Sequence, residues 1–169
     1  MNSERTVDPL VVCRYLLKCE FLKGKFASDP SSFSDDQIRE GMTMLGQHQS
    51  ENPAVVWLGY SSKHRTQQGS WKHVLDIDVR AVVSKGLNPS WKPKLREVNW
   101  NLFRFVTECQ STYGTEYDPT HLPPSELSLI IGTVHPGNPN EVELVDGSHR
   151  LASMILNKRE KVEGYIGYY

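Results

Sequence analysis

LSLIIGTVHPGNPNEVELVDGSHRLASMILNKREKVEGYIGYY, residues 127–169, carries most of what this sequence says about its fold. Residues 127–134 and 141–145 are short apolar runs, and HPGNPN between them has the Pro, Gly and Asn of a turn. The pair predicts a β-hairpin. Asp146-Gly147-Ser148-His149-Arg150 then leads into LASMILNK, a helix whose inward stripe is Leu151, Met154 and Ile155. KVEGYIGYY supplies a returning strand. Hairpin, small-residue turn, helix and strand in this order define an α+β fold.

Working back toward the N-terminus, residues 8–23 read as a helix, with Asp8 as N-cap, Pro9 at the first helical position and Gly24 at the exit. Ser34 and Gln37 have capping-box spacing for a second helix over 35–48. Residues 53–60 and 72–83 are Val-rich strand candidates, the latter with Asp76, Asp78 and Arg80 on one face. Leu102, Phe105, Val106 and Cys109 fall at i, i+3, i+4 and i+7 of a helix over 96–111.

Composition narrows the function classes. Nineteen Lys and Arg against 20 Asp and Glu give a formal net charge of −1 in 169 residues, with a pI near 6.6. A chain that coats nucleic acid through bulk positive charge is excluded, so nucleic acid is a disfavoured partner. No apolar run approaches the roughly 18 residues of a membrane span. MNSERTVDPL lacks the basic-then-apolar pattern of a secretion signal, and the expectation is a soluble, cytoplasmic protein without membrane contact. Cys13, Cys19 and Cys109 form no CxxC pair and have no His at ligand spacing. Cys13 and Cys109 read as small buried hydrophobes, Cys19 as partly exposed.

The pentapeptide 146–150 is where the chemistry concentrates. A strand that runs into a glycine turn and opens a helix leaves backbone N–H groups without partners, aimed where an anion can sit. Gly147 permits close approach, Ser148 adds a hydroxyl, Arg150 a charged donor fork, and His149 a group that moves protons near neutral pH. Asp146 suits Mg²⁺ or general-base work. The same residues also make ordinary turn chemistry, with Asp146 or Ser148 capping the helix and Arg150 paired to a carboxylate such as Glu143.

The run VELVDGSHRLASMILNKREKVEGYIGYY resembles the ParB/sulfiredoxin superfamily, whose members show a strand, the signature DG-x-HR, a helix beginning Leu-Ala and a returning strand. The resemblance covers residues 127–169. It implies a mixed sheet flanked by helices, with residues 1–50 as an added N-terminal helical segment packed on the body and 51–169 as the ParB/sulfiredoxin-like domain. It further implies that Gly147, Ser148, His149 and Arg150 contact the phosphates of a nucleoside triphosphate, ATP or CTP, with Mg²⁺. Asp146 and His149 align with the motif residues implicated in catalysis in members that phosphorylate free serine. Sulfiredoxins carry their reactive cysteine where this chain has Ser148, so sulfinic-acid reduction is not expected. No helix-turn-helix pattern follows the last strand here, which argues against chromosome partition.

The leading expectation is a ParB-like enzyme that hydrolyses a nucleoside triphosphate or transfers its phosphoryl group at 146–150. A second carboxylate is needed for the metal or as base. Glu126 (catalytic) and Asp118 (metal, with Asp146) are preferred over Glu116, Asp76 and Asp78, because the segment entering the hairpin is placed to return to the loop. One alternative is a ParB-like nuclease, supported by Lys85, Lys92, Lys94 and Arg96 interleaved with Trp91 and Trp100, and by Lys63, His64, Arg65, Lys72 and His73. Solvated loops explain both stretches more simply. The other alternative is a non-catalytic nucleotide- or partner-binding module of phage or plasmid type, with a protein partner on the N-terminal region.

Overall fold

The computed structural model describes residues 3–22, 29–43, 70–83 and 125–168. The expected strand at 53–60, the expected helix at 96–111, residues 44–48 of the second helix, and the basic stretches at 63–65 and 85–96 lie outside the described residues. The chain divides into two compact units, Met1–Arg5 with Lys72–Ile166, and Thr6–Trp71 with Gly167–Tyr169. The boundary expected between residues 50 and 51 also falls outside the described residues.

In the Thr6–Trp71 unit, α1 spans Pro9–Leu22 and begins as its sequence requires. The Leu10 N–H donates to Asp8 Oδ1 at 2.8 Å, satisfying one of the amides that a helix start leaves unpaired. That bond, aided by Arg39 at 3.2 Å, holds the Asp8 carboxyl below its ordinary range. Helix α1 buries Leu10, Val12, Cys13, Tyr15, Leu16, Leu17, Cys19 and Glu20. A helix apolar on most sides has little solvent face to offer. Cys19, expected to be partly exposed, is therefore 3% exposed, and burial pushes the Cys13 thiol up to about 12.

A 3₁₀ turn at Pro30–Ser32, capped by Asp29, leads to α2 at Asp35–Thr43. The capping box forms reciprocally: Gln37 N–H donates to Ser34 Oγ at 3.2 Å and Ser34 N–H to Gln37 Oε1 at 2.9 Å. Leu10, Cys13, Leu17, Phe33 and Ile38 make the shared core, with Met42 against it. Arg14 ties α1 to this turn through the Phe33 carbonyl and the Asp35 carboxylate.

The fold is mixed α+β. The strands of its sheet are β1 (Glu4–Val7), β2 (Ser70–Asp78), β3 (Val82–Val83), β4 (Ile130–Val134), β5 (Val142–Asp146) and β6 (Lys161–Tyr168), in spatial order β1-β2-β6-β4-β5-β3. The expected hairpin is β4 antiparallel to β5, and β3 pairs with β5 in parallel, Val82 opposite Val142. Its turn is held by Asn138 N–H to His135 O at 2.8 Å and Glu141 N–H to Asn138 O at 3.1 Å. Every residue of β4 is buried, as a continuous apolar run between sheet neighbours should be. β1, for which the sequence gives no signal, adds an exposed edge.

The expected strand 72–83 is not continuous. The Asp78 carboxylate accepts from the Arg80 amide at 2.9 Å, starting a 3₁₀ turn at Val79–Ala81 before β3 resumes. Arg80 also grips Asp78 through Nε at 3.0 Å and Nη2 at 2.7 Å, and its hydrogen bonds hold that carboxyl well below the usual range. An Asx cap thus overrides the Val-rich strand pattern, and Asp76, Asp78 and Arg80 do not line one strand face. Lys72 and His73 are likewise not on a solvated loop. Both stand on β2, with Lys72 Nζ 2.6 Å from Glu4 of β1 and His73 Nε2 2.6 Å from Glu163 of β6.

Helix α3, Ser148–Leu156, packs against β4 through a face that includes buried Leu151 and Met154. It ends on Lys158 at φ 61°, and Arg159 N–H reaches back to Met154 O at 2.9 Å. That is a Schellman stop, with lysine where glycine costs least. Among the described residues no helix is long and apolar enough to cross a membrane.

Two substitutions test this packing. A Cβ at Gly164 of β6 would lie 2.6 Å from the Ile130 carbonyl oxygen and 2.7 Å from Ile130 Cγ1, so Gly164→Ala is expected to lower stability by about 1–3 kcal/mol in urea unfolding. Lys158→Gly is expected to act in the opposite direction, raising stability by about 0.5–1 kcal/mol in the same assay, because it removes left-handed strain.

Candidate functional site at the Asp146–Arg150 turn

The turn between β5 and α3 is built by one glycine. Gly147 takes φ 104°, a conformation that L side chains rarely adopt, and this swings the chain from strand into helix within one residue. Its carbonyl accepts the first helical bond, from Leu151 N–H at 2.8 Å. The amides of Ser148 and His149 lie ahead of that bond and have no acceptor within the helix. The positive end of the α3 dipole faces the same way.

A bulge lies just before the turn. Ile131 of β4 faces Asp146, whereas the next residue, Gly132, faces Leu144, so β5 carries one extra residue here. At such a place the strict alternation of the pleat stops deciding where side chains point. Asp146, the last residue of β5, comes directly after the irregularity.

The structure brings Asp146 and Arg150 together. Arg150 Nη2 donates to Asp146 Oδ2 at 2.6 Å, and the two side chains are only 10% and 13% exposed. A bond this short between opposite charges in a nearly dry setting is a strong, charge-assisted one. The guanidinium folds back over the turn: a Cβ on Gly147 would lie 3.1 Å from Arg150 Nη2 and 3.2 Å from Nε. The same Cβ would meet Ile130 Cγ2 at 3.2 Å, so the start of β4 closes the other side. Arg150 pairs with Asp146, because i,i+4 spacing across the turn sets the two side chains one above the other.

The remaining expected site residues fall as follows. Ser148 is half-buried at the first position of α3, and His149 is its second residue, described in its backbone. Glu126 lies, by its backbone, in a 3₁₀ turn at Ser125–Leu127 that precedes β4. The Ile131 to Asp146 register sets the beginning of β4 beside the end of β5. Asp118 and Glu116 lie outside the described residues, Asp76 is exposed on β2, and Asp78 is engaged by Arg80. Among the described residues no three His, Cys, Asp or Glu side chains cluster to hold an ion. Of the two residues expected to hold Mg²⁺, Asp146 is bonded through Oδ2 to Arg150, and Asp118 lies outside the described residues.

Sequence reasoning missed a second polar group, on β2 and β6. The His73 ring pairs with Glu163 and lies 5.2 Å from the Tyr165 ring at 41°. Burial pushes the Tyr165 phenol above its ordinary value, and the Glu163 charge adds to the effect. The only signal in the sequence was the shared strand parity of Glu163 and Tyr165, and nothing local links it to His73, 90 residues away.

No family model matches the chain, and neither a curated protein nor a solved structure matches it.

The geometry of Gly147 makes a direct test. Gly147→Ala places a methyl against the Arg150 guanidinium at a strained φ, and is expected to cost about 1–3 kcal/mol, read as a lowered midpoint in thermal unfolding. An unchanged midpoint would mean that the turn does not depend on this conformation.

Proposed function

We propose that this chain is a nucleotide-binding protein of ParB/sulfiredoxin type that engages the phosphates of a nucleoside triphosphate, ATP or CTP, at the loop 146–150. The reading is carried by one observation: a strand whose last residue, Asp146, is followed by a positive-φ glycine that opens directly into a helix, leaving first-turn amides without acceptors in that helix. In this reading the Ser148 and His149 amides and the Ser148 hydroxyl hold phosphate oxygens, and the Arg150 fork neutralises their charge. Hydrolysis or phosphoryl transfer would follow from positioning and charge neutralisation, with His149 moving the proton and Glu126 orienting the attacking oxygen. No step is assigned to a metal. The cytoplasm is the compartment this chemistry suits.

One observation favours binding without catalysis as the second reading. Asp146, the residue assigned to acid–base work, is already bonded to Arg150 in a setting only 13% open to solvent. One oxygen of that carboxylate, Oδ2, is occupied by the guanidinium, so a substrate has to compete with Arg150 for it.

Isothermal titration with ATP, CTP, GTP and ADP is expected to show binding by at least one triphosphate, lost by tenfold or more in an Arg150→Ala variant that still melts cooperatively. Phosphate release assayed alongside separates the two readings, turnover supporting the enzyme and binding without turnover the module. Absence of binding by all four nucleotides would overturn both.

A further inference from the structure

We draw no further inference here: the strongest candidate, the side-chain cluster of His73 on β2 with Glu163 and Tyr165 on β6, is held by a hydrogen bond and a ring contact within the sheet, and nothing in the structure shows a ligand for it or what covers it.

Discussion

The ion pair between Asp146 and Arg150 is the constraint around which the C-terminal half of the sheet unit is arranged. It joins the last residue of β5 to the first turn of α3 across a glycine that has no side chain to obstruct it. Each partner justifies the other's burial. An arginine held at 8% exposure and a carboxylate at the end of a strand are costly to desolvate singly, and breaking such a pair by truncating one side costs about 3–5 kcal/mol. The pair sits where α3 leaves the strand, and the Leu151 and Met154 face of that helix packs on β4.

The rest of that unit shows the same economy of close approach. β6 lies so near Ile130 that only glycine fits at position 164, and Ile130 in turn touches the Gly147 turn. Ile130 is thus a common wall for the β6 strand and for the candidate site.

What was legible in the sequence is what local chemistry decides. Asp8 and Pro9 start α1, Ser34 and Gln37 exchange bonds at the start of α2, and HPGNPN closes the hairpin, each within four residues of its partner. The mixed α+β class followed from these signals. Where two local rules compete, pattern reading failed: the Val-rich run 72–83 looks like one strand, but Asp78 prefers to accept from the Arg80 amide, and the strand stops. Where partners are distant, no pattern existed to read. Lys72 finds Glu4 and His73 finds Glu163 over separations of 68 and 90 residues, so side chains that look like a solvated basic stretch are cross-strand links. Cys19 is buried for a related reason, since its environment depends on what covers α1 rather than on its own neighbours.

The site was legible as a place and only half legible as chemistry. D-G-x-H-R marks the strand-to-helix turn because glycine, a first-turn hydroxyl and an arginine at that spacing all serve a helix start. The spacing that suits a phosphate-contacting arginine is also the spacing at which Arg150 reaches Asp146 across Gly147. The pattern therefore serves a structural clasp as readily as a phosphate cradle, and it marks the place better than the chemistry. Acidic partners sit on Arg14, Arg39, Lys72, Arg80 and Arg150. Of these pairs only Arg80 with Asp78 and Arg150 with Asp146 lie within four residues, so the others, set by tertiary contacts, left no local signal in the sequence.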